Sequence, residues 1–190
     1  MTAKDNIRRE IRDRRRRLDH AWVVQASALI QQRVLELAEW TAAQRVFCYL
    51  AGPTEVQTGR LLDACRQAGK RVWVPAFHPE RRHYACARLD GNSAPVPGPR
   101  GIPEPAKPDW EEPAAFDLVI APGLAFDSCG GRIGHSGGHY DRLLAQAALK
   151  PALKIGLAFA FQVRERVPTA AHDAAMDIVV TEDAVIWCRQ

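Results

Sequence analysis

No stretch of the 190-residue sequence approaches the roughly 20 apolar residues that a membrane-spanning helix needs. The opening residues, MTAKDNIRREIRDRRRR, lack the apolar core of a secretory signal, so we expect no targeting segment and no membrane partner. Cysteine is sparse, with five widely spaced residues and no CxxC pair. This usage is typical of a reduced, cytoplasmic protein.

The basic residues near the start of the chain lack the aromatic neighbours that stack on nucleic-acid bases. Residues 4–17 hold eight basic side chains against three acidic ones. However, Ile7, Ile11 and Leu18 recur at helical spacing, which favours a helix with a docking face over a nucleic-acid-binding arm. The net charge of +4 is also modest. We therefore predict no nucleic-acid partner.

Two common nucleotide-binding motifs, GxxxxGK[ST] and GxGxxG, are absent. Instead, residues 117–141, DLVIAPGLAFDSCGGRIGHSGGHYD, begin as an apolar strand and then place five of the thirteen glycines within positions 130–138. Glycine density of this kind lets backbone N–H groups approach an anion closely. Arg132 and Arg142 add positive charge, and Asp141 can hold a magnesium ion that accompanies phosphates. The segment favours nucleotide binding, although a flexible turn between a strand and a helix is the alternative.

Helical and strand patterns alternate along the chain. Apolar residues at helical spacing predict helices over residues 4–18, 22–39, 59–68 and about 140–148. Apolar or alternating runs predict strands at residues 46–50, 72–77, 84–88, 117–121, 154–158 and 177–181. Residues 95–113 hold seven of the thirteen prolines and predict a long loop. The alternation predicts an α/β fold: a single-domain sandwich over residues 1–190, with a mainly parallel sheet and helices on both faces.

Several segments together match a known family. They are KDNIRREIRDRRRRL, VFCYLAGPTEVQTGRLL, GIPEP, APGLAFDSCGGRIGHSGGHYDRLL and HDAAMDIVVTE. In these segments, over nearly its whole length, the sequence resembles the 5-formyltetrahydrofolate cyclo-ligase family, also called 5,10-methenyltetrahydrofolate synthetases. The family fold is an α/β sandwich, which agrees with the pattern of predicted helices and strands.

The resemblance implies a reaction that uses ATP and Mg²⁺. ATP phosphorylates the formyl oxygen of 5-formyltetrahydrofolate, the amine at position 10 attacks, and phosphate leaves as the ring closes to 5,10-methenyltetrahydrofolate. Phosphoryl transfer depends mostly on positioning and electrostatic stabilisation, so no covalent nucleophile is required, and no Ser/His/Asp pattern stands out here. We expect a monomer whose partners are ATP and the small-molecule folate substrate.

The resemblance also implies functional residues. Lys4 and Arg8 would contact ATP, together with the stretch Arg132, Ile133, Gly134, His135, Ser136, Gly137, Gly138, His139 and Tyr140. The folate would be bound by Leu50, Glu55, His135, Gly137 and His139. Catalysis would fall to Arg132, His135 and Tyr140, and magnesium to Asp141 and Asp173. The residues alone leave other roles open: solvated helix charges at Lys4 and Arg8, an exposed loop acid at Glu55, core packing at Tyr140 and a helix cap at Asp141.

The glycine-rich segment departs from the usual family signature RxGxGxGYYD. Here it reads RIGHSGGHYD, with His135 where arginine is common, Ser136 in place of a glycine and His139 in place of an aromatic residue. A histidine is only partly charged near pH 7, so we expect ATP binding to persist and turnover to be the step at risk. One alternative is a paralogue that binds folate or nucleotide without cyclising it. Another is a metal-dependent hydrolase that uses His135, His139 and Asp141, although Ser136 stands where HExxH has its glutamate.

Overall fold

The computed structural model describes residues 2–89, 95–99, 101–135, 137–170 and 172–188. Of the predicted site residues, Ser136 therefore lies outside the described residues. The described residues form five α-helices: α1 (Ala3–Arg16), α2 (His20–Leu35), α3 (Ala38–Ala42), α4 (Gly59–Gln67) and α5 (His139–Leu144). None of these helices is long and apolar enough to cross a membrane.

The same residues form twelve strands and one short 3₁₀ helix, Ala160–Gln162. The strands are β1 (Arg45–Cys48), β2 (Arg71–His78), β3 (His83–Arg88), β4 (Pro95–Pro97), β5 (Pro103–Pro105), β6 (Leu118–Ala121), β7 (Ala125–Asp127), β8 (Arg132–Ile133), β9 (Leu153–Leu157), β10 (Val163–Arg164), β11 (Ile178–Val180) and β12 (Val185–Trp187).

Seven strands form the central sheet, in the order β12-β11-β9-β6-β1-β2-β3. The five inner strands are parallel, and only the edge strands β12 and β3 are antiparallel to their neighbours. In register, Val46 of β1 lies between Val72 and Leu118. The prediction of a mainly parallel sheet is confirmed.

Side chains of the inner strands alternate between two buried layers, as expected for a parallel sheet covered on both faces. One layer joins Val46 and Ile120 to Ile30 of α2 and Leu61 of α4. The other layer includes Phe47 and Val119 of the same strands, with Leu143 and Leu144 of α5. Helices therefore cover both faces, as the sequence predicts, while the single-domain assignment stays a prediction.

The strand order reverses direction between β1 and β6. From β1 the chain adds β2 and β3 on one side, and from β6 it adds β9, β11 and β12 on the other. Ligands of open α/β sheets bind beyond the carboxyl ends of the strands at such a switch point. The topology thus marks the ends of β1 and β6 as the place for a site.

Three sequence-based predictions about elements are wrong. The helix expected over residues 22–39 is interrupted between α2 and α3, where Leu37 is extended, and this break lets Trp40 pack into the same buried cluster as Val34. The helix expected to reach residue 148 ends at Leu144, and turns carry the chain to the buried Leu149.

The third error concerns the proline-rich stretch of residues 95–113, where β4 and β5 pair antiparallel, with Val96 opposite Glu104. The sequence also gave no indication of the small sheet β10-β7-β8. Its strands have only two or three residues, which is too short for an alternating pattern to be visible.

Candidate active site

A cavity of about 410 Å³ opens beyond the carboxyl ends of β1 and β6. Tyr49 and Leu50 line it directly after β1, Pro122 follows β6, and Pro75 comes from β2. The volume lies within the roughly 300–1,000 Å³ of typical small-molecule sites. The other lining residues are Arg8, Arg15, Gly52, Thr54, Glu55, Gly101, Ile102, Pro103, Arg132, Gly134, His135, Gly138, His139, Tyr140 and Asp141.

Most of the residues that are predicted from the sequence to be functional line this cavity. They are Arg8, Leu50, Glu55, Arg132, Gly134, His135, Gly138, His139, Tyr140 and Asp141. Four other predicted site residues that the structure describes do not line the cavity: Lys4, Ile133, Gly137 and Asp173. The Ile133 side chain packs in a small core cluster with Ala125 and Val167. Lys4 and Asp173 contact each other, with 2.5 Å between Nζ and Oδ2.

Glu55 lines the cavity from the loop that follows β1. Its Oε2 accepts a hydrogen bond from the Gly52 N–H at 3.0 Å. Its Oε1 lies 3.5 Å from Arg15 Nη2 and 3.2 Å from His135 Nε2. Burial alone would raise the pKa of Glu55, but the His135 contact and the Arg15 charge outweigh it and hold that pKa below its ordinary value. The carboxylate is therefore ionised at neutral pH.

Arg132, Asp141 and Tyr140 form a second group of residues that line the cavity. The Arg132 side chain is only 1% exposed, and its Nη2 donates to Asp141 Oδ1. Arg132 Nη1 donates to the Pro122 carbonyl at 3.3 Å, and the guanidinium carbon lies 5.7 Å from the centre of the Tyr140 ring. Among the described residues, Arg132 Nε and the Tyr140 hydroxyl are buried without a hydrogen-bond partner. Burial also raises the pKa of Tyr140 well above its ordinary value, so the hydroxyl keeps its proton.

Helix α1 lies along the glycine-rich segment and holds it by its backbone. Arg8 Nε donates to the Gly134 carbonyl at 3.0 Å, and Arg12 Nη2 donates to the His135 carbonyl. A capping box between Thr2 and Asp5 fixes the start of the helix. The basic helix thus docks through its arginines, and carbonyl groups of the segment face α1.

The first two glycines of the segment serve a turn rather than the cavity. The buried carboxylate of Asp127 accepts the N–H groups of Cys129 and Gly131 at 2.9 and 2.8 Å, and that of Val167 at 2.9 Å. Gly130 has φ 83°, and a Cβ there would lie 2.3 Å from the Met176 carbonyl oxygen. This turn directs β8 so that Arg132 enters the site. The part of the segment that borders the cavity therefore begins at Arg132.

The two histidines of the segment have separate partners. His135 contacts Glu55, whereas His139 Nδ1 lies 2.8 Å from Arg142 Nη2. Helix α5 begins only at His139, so the helical spacing of a paired-histidine metal site is not formed. In the described part of the chain, no group of three or more His, Cys, Asp or Glu side chains is arranged to hold a metal ion.

Sequence reasoning missed several lining residues. Arg15 was hidden among neighbouring arginines, although it falls on the apolar stripe of α1, four residues after Ile11 and three before Leu18. Residues Gly101, Ile102 and Pro103 belong to the GIPEP match, but nothing in their pattern indicated a cavity wall. Pro75 and Pro122 line the cavity because the strand order of the sheet places β2 and β6 on either side of β1, and the sequence alone does not reveal that order.

An open, mainly parallel sheet with a cavity at its switch point places the chain in the class of open-sheet α/β proteins. Residues 1–182 match the model of the 5-formyltetrahydrofolate cyclo-ligase family. The chain belongs to this family of ligases, which confirms the resemblance seen in the sequence.

Individual members of the family are similar to this chain over most of its length. The 5-formyltetrahydrofolate cyclo-ligase of Saccharomyces cerevisiae is 31% identical over 209 residues, covering 98% of each protein. That of Haemophilus influenzae is 31% identical over 182 residues, covering 93% of this chain and 97% of the relative. The solved structure of Aquifex aeolicus 5,10-methenyltetrahydrofolate synthetase has a TM-score of 0.85 and 29% identity, and covers 100% of this chain and 94% of that one.

Proposed function

We propose that this protein catalyses the ATP- and Mg²⁺-dependent cyclisation of 5-formyltetrahydrofolate to 5,10-methenyltetrahydrofolate. ATP phosphorylates the formyl oxygen, the amine at position 10 attacks the formyl carbon, and phosphate leaves. Family membership supports the cyclo-ligase activity. The observation that carries the proposal is one cavity lined by both an ionised carboxylate, Glu55, and a buried guanidinium, Arg132.

Glu55 and Leu50 are proposed to bind the folate. The pterin ring has several N–H donors and no negative charge, so an ionised carboxylate can pair with it. The same carboxylate would repel a triphosphate. Glu55 is held by Gly52, Arg15 and His135, which supports a fixed orientation toward the cavity. His135, Gly137 and His139 are proposed to complete the folate side.

Arg132 is proposed to neutralise charge on the phosphoryl group during transfer. Its planar group already makes bonds to Asp141 and Pro122, and the partnerless Nε leaves one N–H for a ligand. The Tyr140 hydroxyl keeps its proton because burial raises its pKa, so it can donate to a phosphate or formyl oxygen.

The rest of the proposed ATP contacts come from the segment that α1 holds. Arg8, Ile133, Gly134, His135, Gly137, Gly138 and His139 would line the phosphates, the role also predicted for Ser136. Lys4 is proposed to join them. Because Lys4 forms an ion pair with Asp173, a phosphate that attracts Lys4 would leave the Asp173 carboxylate available.

The residues present fit a magnesium ion held mainly by Asp141. Mg²⁺ is usually bound through one or two carboxylates and substrate phosphates, with waters in the remaining positions. Asp141 lines the cavity and uses one oxygen for Arg132, and its other oxygen has no hydrogen bond among the described residues. Asp173 is proposed as the second carboxylate. When bound, the ion neutralises phosphate charge.

The test follows absorbance of 5,10-methenyltetrahydrofolate formed from 5-formyltetrahydrofolate. We expect product only when ATP and Mg²⁺ are both supplied, and none after chelation with EDTA. Asp141→Asn should raise the magnesium concentration needed for half-maximal rate, because it removes the ionised ligand. ATP binding without product would favour the non-catalytic paralogue. Hydrolytic activity that appears only with zinc would favour the hydrolase, although His135 and His139 have separate partners.

A further inference from the structure

Arg15 is a buried cationic side chain that lines the cavity beside Glu55. The residue is 4% exposed and lies on α1, between the docking residues Ile11 and Leu18. Burying a guanidinium is costly unless it is paired and hydrogen-bonded. Its neighbour Arg16 is far more exposed, with 71% of its side chain accessible, and pairs with Asp13 within the same helix. The two arginines therefore have different roles.

The hydrogen bonds and the ion pair that Arg15 makes among the described residues go to the loop that carries Glu55. Its Nε donates to the Thr54 carbonyl at 2.7 Å, and its Nη2 donates to the Thr54 hydroxyl at 3.3 Å. The same Nη2 lies 3.5 Å from Glu55 Oε1. One planar group thus binds the backbone before Glu55 and faces its carboxylate, a geometry that lysine cannot reproduce.

From this geometry we infer that Arg15 is a positioning residue that fixes the Glu55 carboxylate toward the cavity and thereby sets affinity for the folate. This inference rests on the proposed function for the ligand, but the Arg15–Glu55 arrangement is independent of it. Without Arg15, the carboxylate would keep the Gly52 N–H and the half-exposed His135 as neighbours. His135 lies closer to the carboxylate than Arg15 does, but its side chain is 53% exposed and it is charged only when protonated, whereas Arg15 is buried and always charged.

The first measurement needs no ligand. The Glu55 side-chain carboxyl is titrated by ¹³C NMR in the wild type and in Arg15→Met, and the Glu55→Gln variant assigns the signal. Removing the cation should raise the titration midpoint by about one pH unit or more, since burial is then less opposed. Arg16→Met, the matched control on the same helix, should leave the midpoint unchanged. An unchanged midpoint in Arg15→Met would overturn the inference, whether or not a folate binds.

The second measurement is a double-mutant cycle on 5-formyltetrahydrofolate binding by calorimetry. Arg15→Met should raise the dissociation constant about tenfold or more in the wild-type background, the scale for losing a charge-assisted contact. In the Glu55→Gln background the same change should shift it by less than about twofold, because Arg15 acts through Glu55. Binding of a non-hydrolysable ATP analogue should stay the same in all four proteins.

Other outcomes separate the competing explanations. An equal loss of affinity in the Glu55→Gln background would mean that Arg15 contacts the folate itself, which contradicts a positioning role. Unchanged affinity with a lowered melting temperature would make Arg15 a structural residue only. If Arg15→Met does not fold, Arg15→Lys replaces it: the midpoint should stay low because the charge remains, while affinity falls by about threefold because the fork is lost. A wild type that binds no folate would overturn the proposed function, and the titration would still decide this inference.

Discussion

Two arginine–carboxylate pairs, one at each end of the parallel strands, differ in what surrounds them. At the amino ends, Arg45 Nη2 lies 2.5 Å from Asp117 Oδ1, and Asp117 Oδ2 also accepts the N–H groups of Gln44 and Arg45. Both side chains are about one-third exposed, at 34% and 29%. At the carboxyl ends, Arg132 is buried against Asp141, and its Nε has no partner among the described residues.

The two pairs differ in whether their hydrogen bonds are complete within the described chain. We interpret the incomplete pair as one that a ligand completes. A buried donor without a partner costs roughly 1–3 kcal/mol, so such a group calls for an explanation such as a catalytic role. The Asp117 carboxylate is satisfied by two backbone N–H groups and a guanidinium. Arg132 Nε and the Tyr140 hydroxyl, both from residues that line the cavity, are not satisfied by the described chain. We interpret the second set as the part of the site that the substrates complete.

The largest expected effect is on turnover, when Arg132 and Arg45 are each changed to lysine. Arg132→Lys should lower turnover by about 10²–10³-fold, because lysine cannot replace the planar guanidinium that we propose neutralises charge on the phosphoryl group. Arg45→Lys should leave turnover within about twofold, since no lining residue is changed. Initial rates at saturating ATP and folate measure both, with circular dichroism as the check on folding. Equal losses in the two variants would remove the contrast.

Glu55→Gln tests the proposed folate side of the cavity. Folate binding should weaken by roughly 1.5–3 kcal/mol, the scale of a hydrogen bond to a charged group, while ATP affinity should barely change. Calorimetric titration with each ligand measures the two affinities separately. A selective loss of ATP binding would place Glu55 at the nucleotide end of the cavity and contradict its proposed role.

At the amino ends the expected effect is on stability. The Arg45 guanidinium, together with the N–H groups of Gln44 and Arg45, lowers the pKa of Asp117 to about 2, against an ordinary value of 3.8. A depressed carboxyl pKa contributes stability that is full above about 3.8 and is lost as the pH falls through about 2. Asp117→Asn should therefore lower the free energy of unfolding at pH 7 by about 1–2 kcal/mol, less than a fully buried pair because solvent screens it. Turnover should not change.

Urea unfolding between pH 2 and pH 7 measures this contribution. The difference between wild type and Asp117→Asn should shrink as the pH approaches 2, because the wild-type carboxylate then becomes protonated. A difference that is constant across the range would show that the pair contributes packing rather than charge.

The smallest expected effect on stability concerns Tyr140, which belongs to the incompletely hydrogen-bonded group at the carboxyl ends of the strands. Tyr140→Phe removes a buried hydroxyl that has no partner in the described structure, so the free energy of unfolding should stay the same or rise by up to about 1 kcal/mol. Turnover should fall if the hydroxyl meets the substrates. Thermal unfolding and initial rates are compared in one preparation. A clear loss of stability would mean that the hydroxyl has a structural partner in solution.

The sequence predicted the parts of the fold that rest on continuous apolar runs. β6 and β11, for example, are buried throughout, as parallel strands covered on both faces should be. The break before Trp40 and the two-residue strand β8 could not be predicted, since tertiary packing decides them. For the site, the glycine-rich segment and Glu55 were visible through the family resemblance. Arg15 was not, because its pairing with Glu55 is a contact between distant parts of the chain.

The contacts of α1 have a consequence for how the site is made during synthesis. Lys4 and Arg8 are synthesised well before their partners Asp173 and Gly134, which lie 169 and 126 residues later. Contacts of such separation form late, because the intervening chain must first be closed into a loop. A nascent chain that stops before Asp173 therefore carries an α1 that cannot complete its docking. The loop of Thr54 and Glu55 can hold α1 early, through Arg15, whereas the contact of Lys4 must wait until Asp173 has emerged.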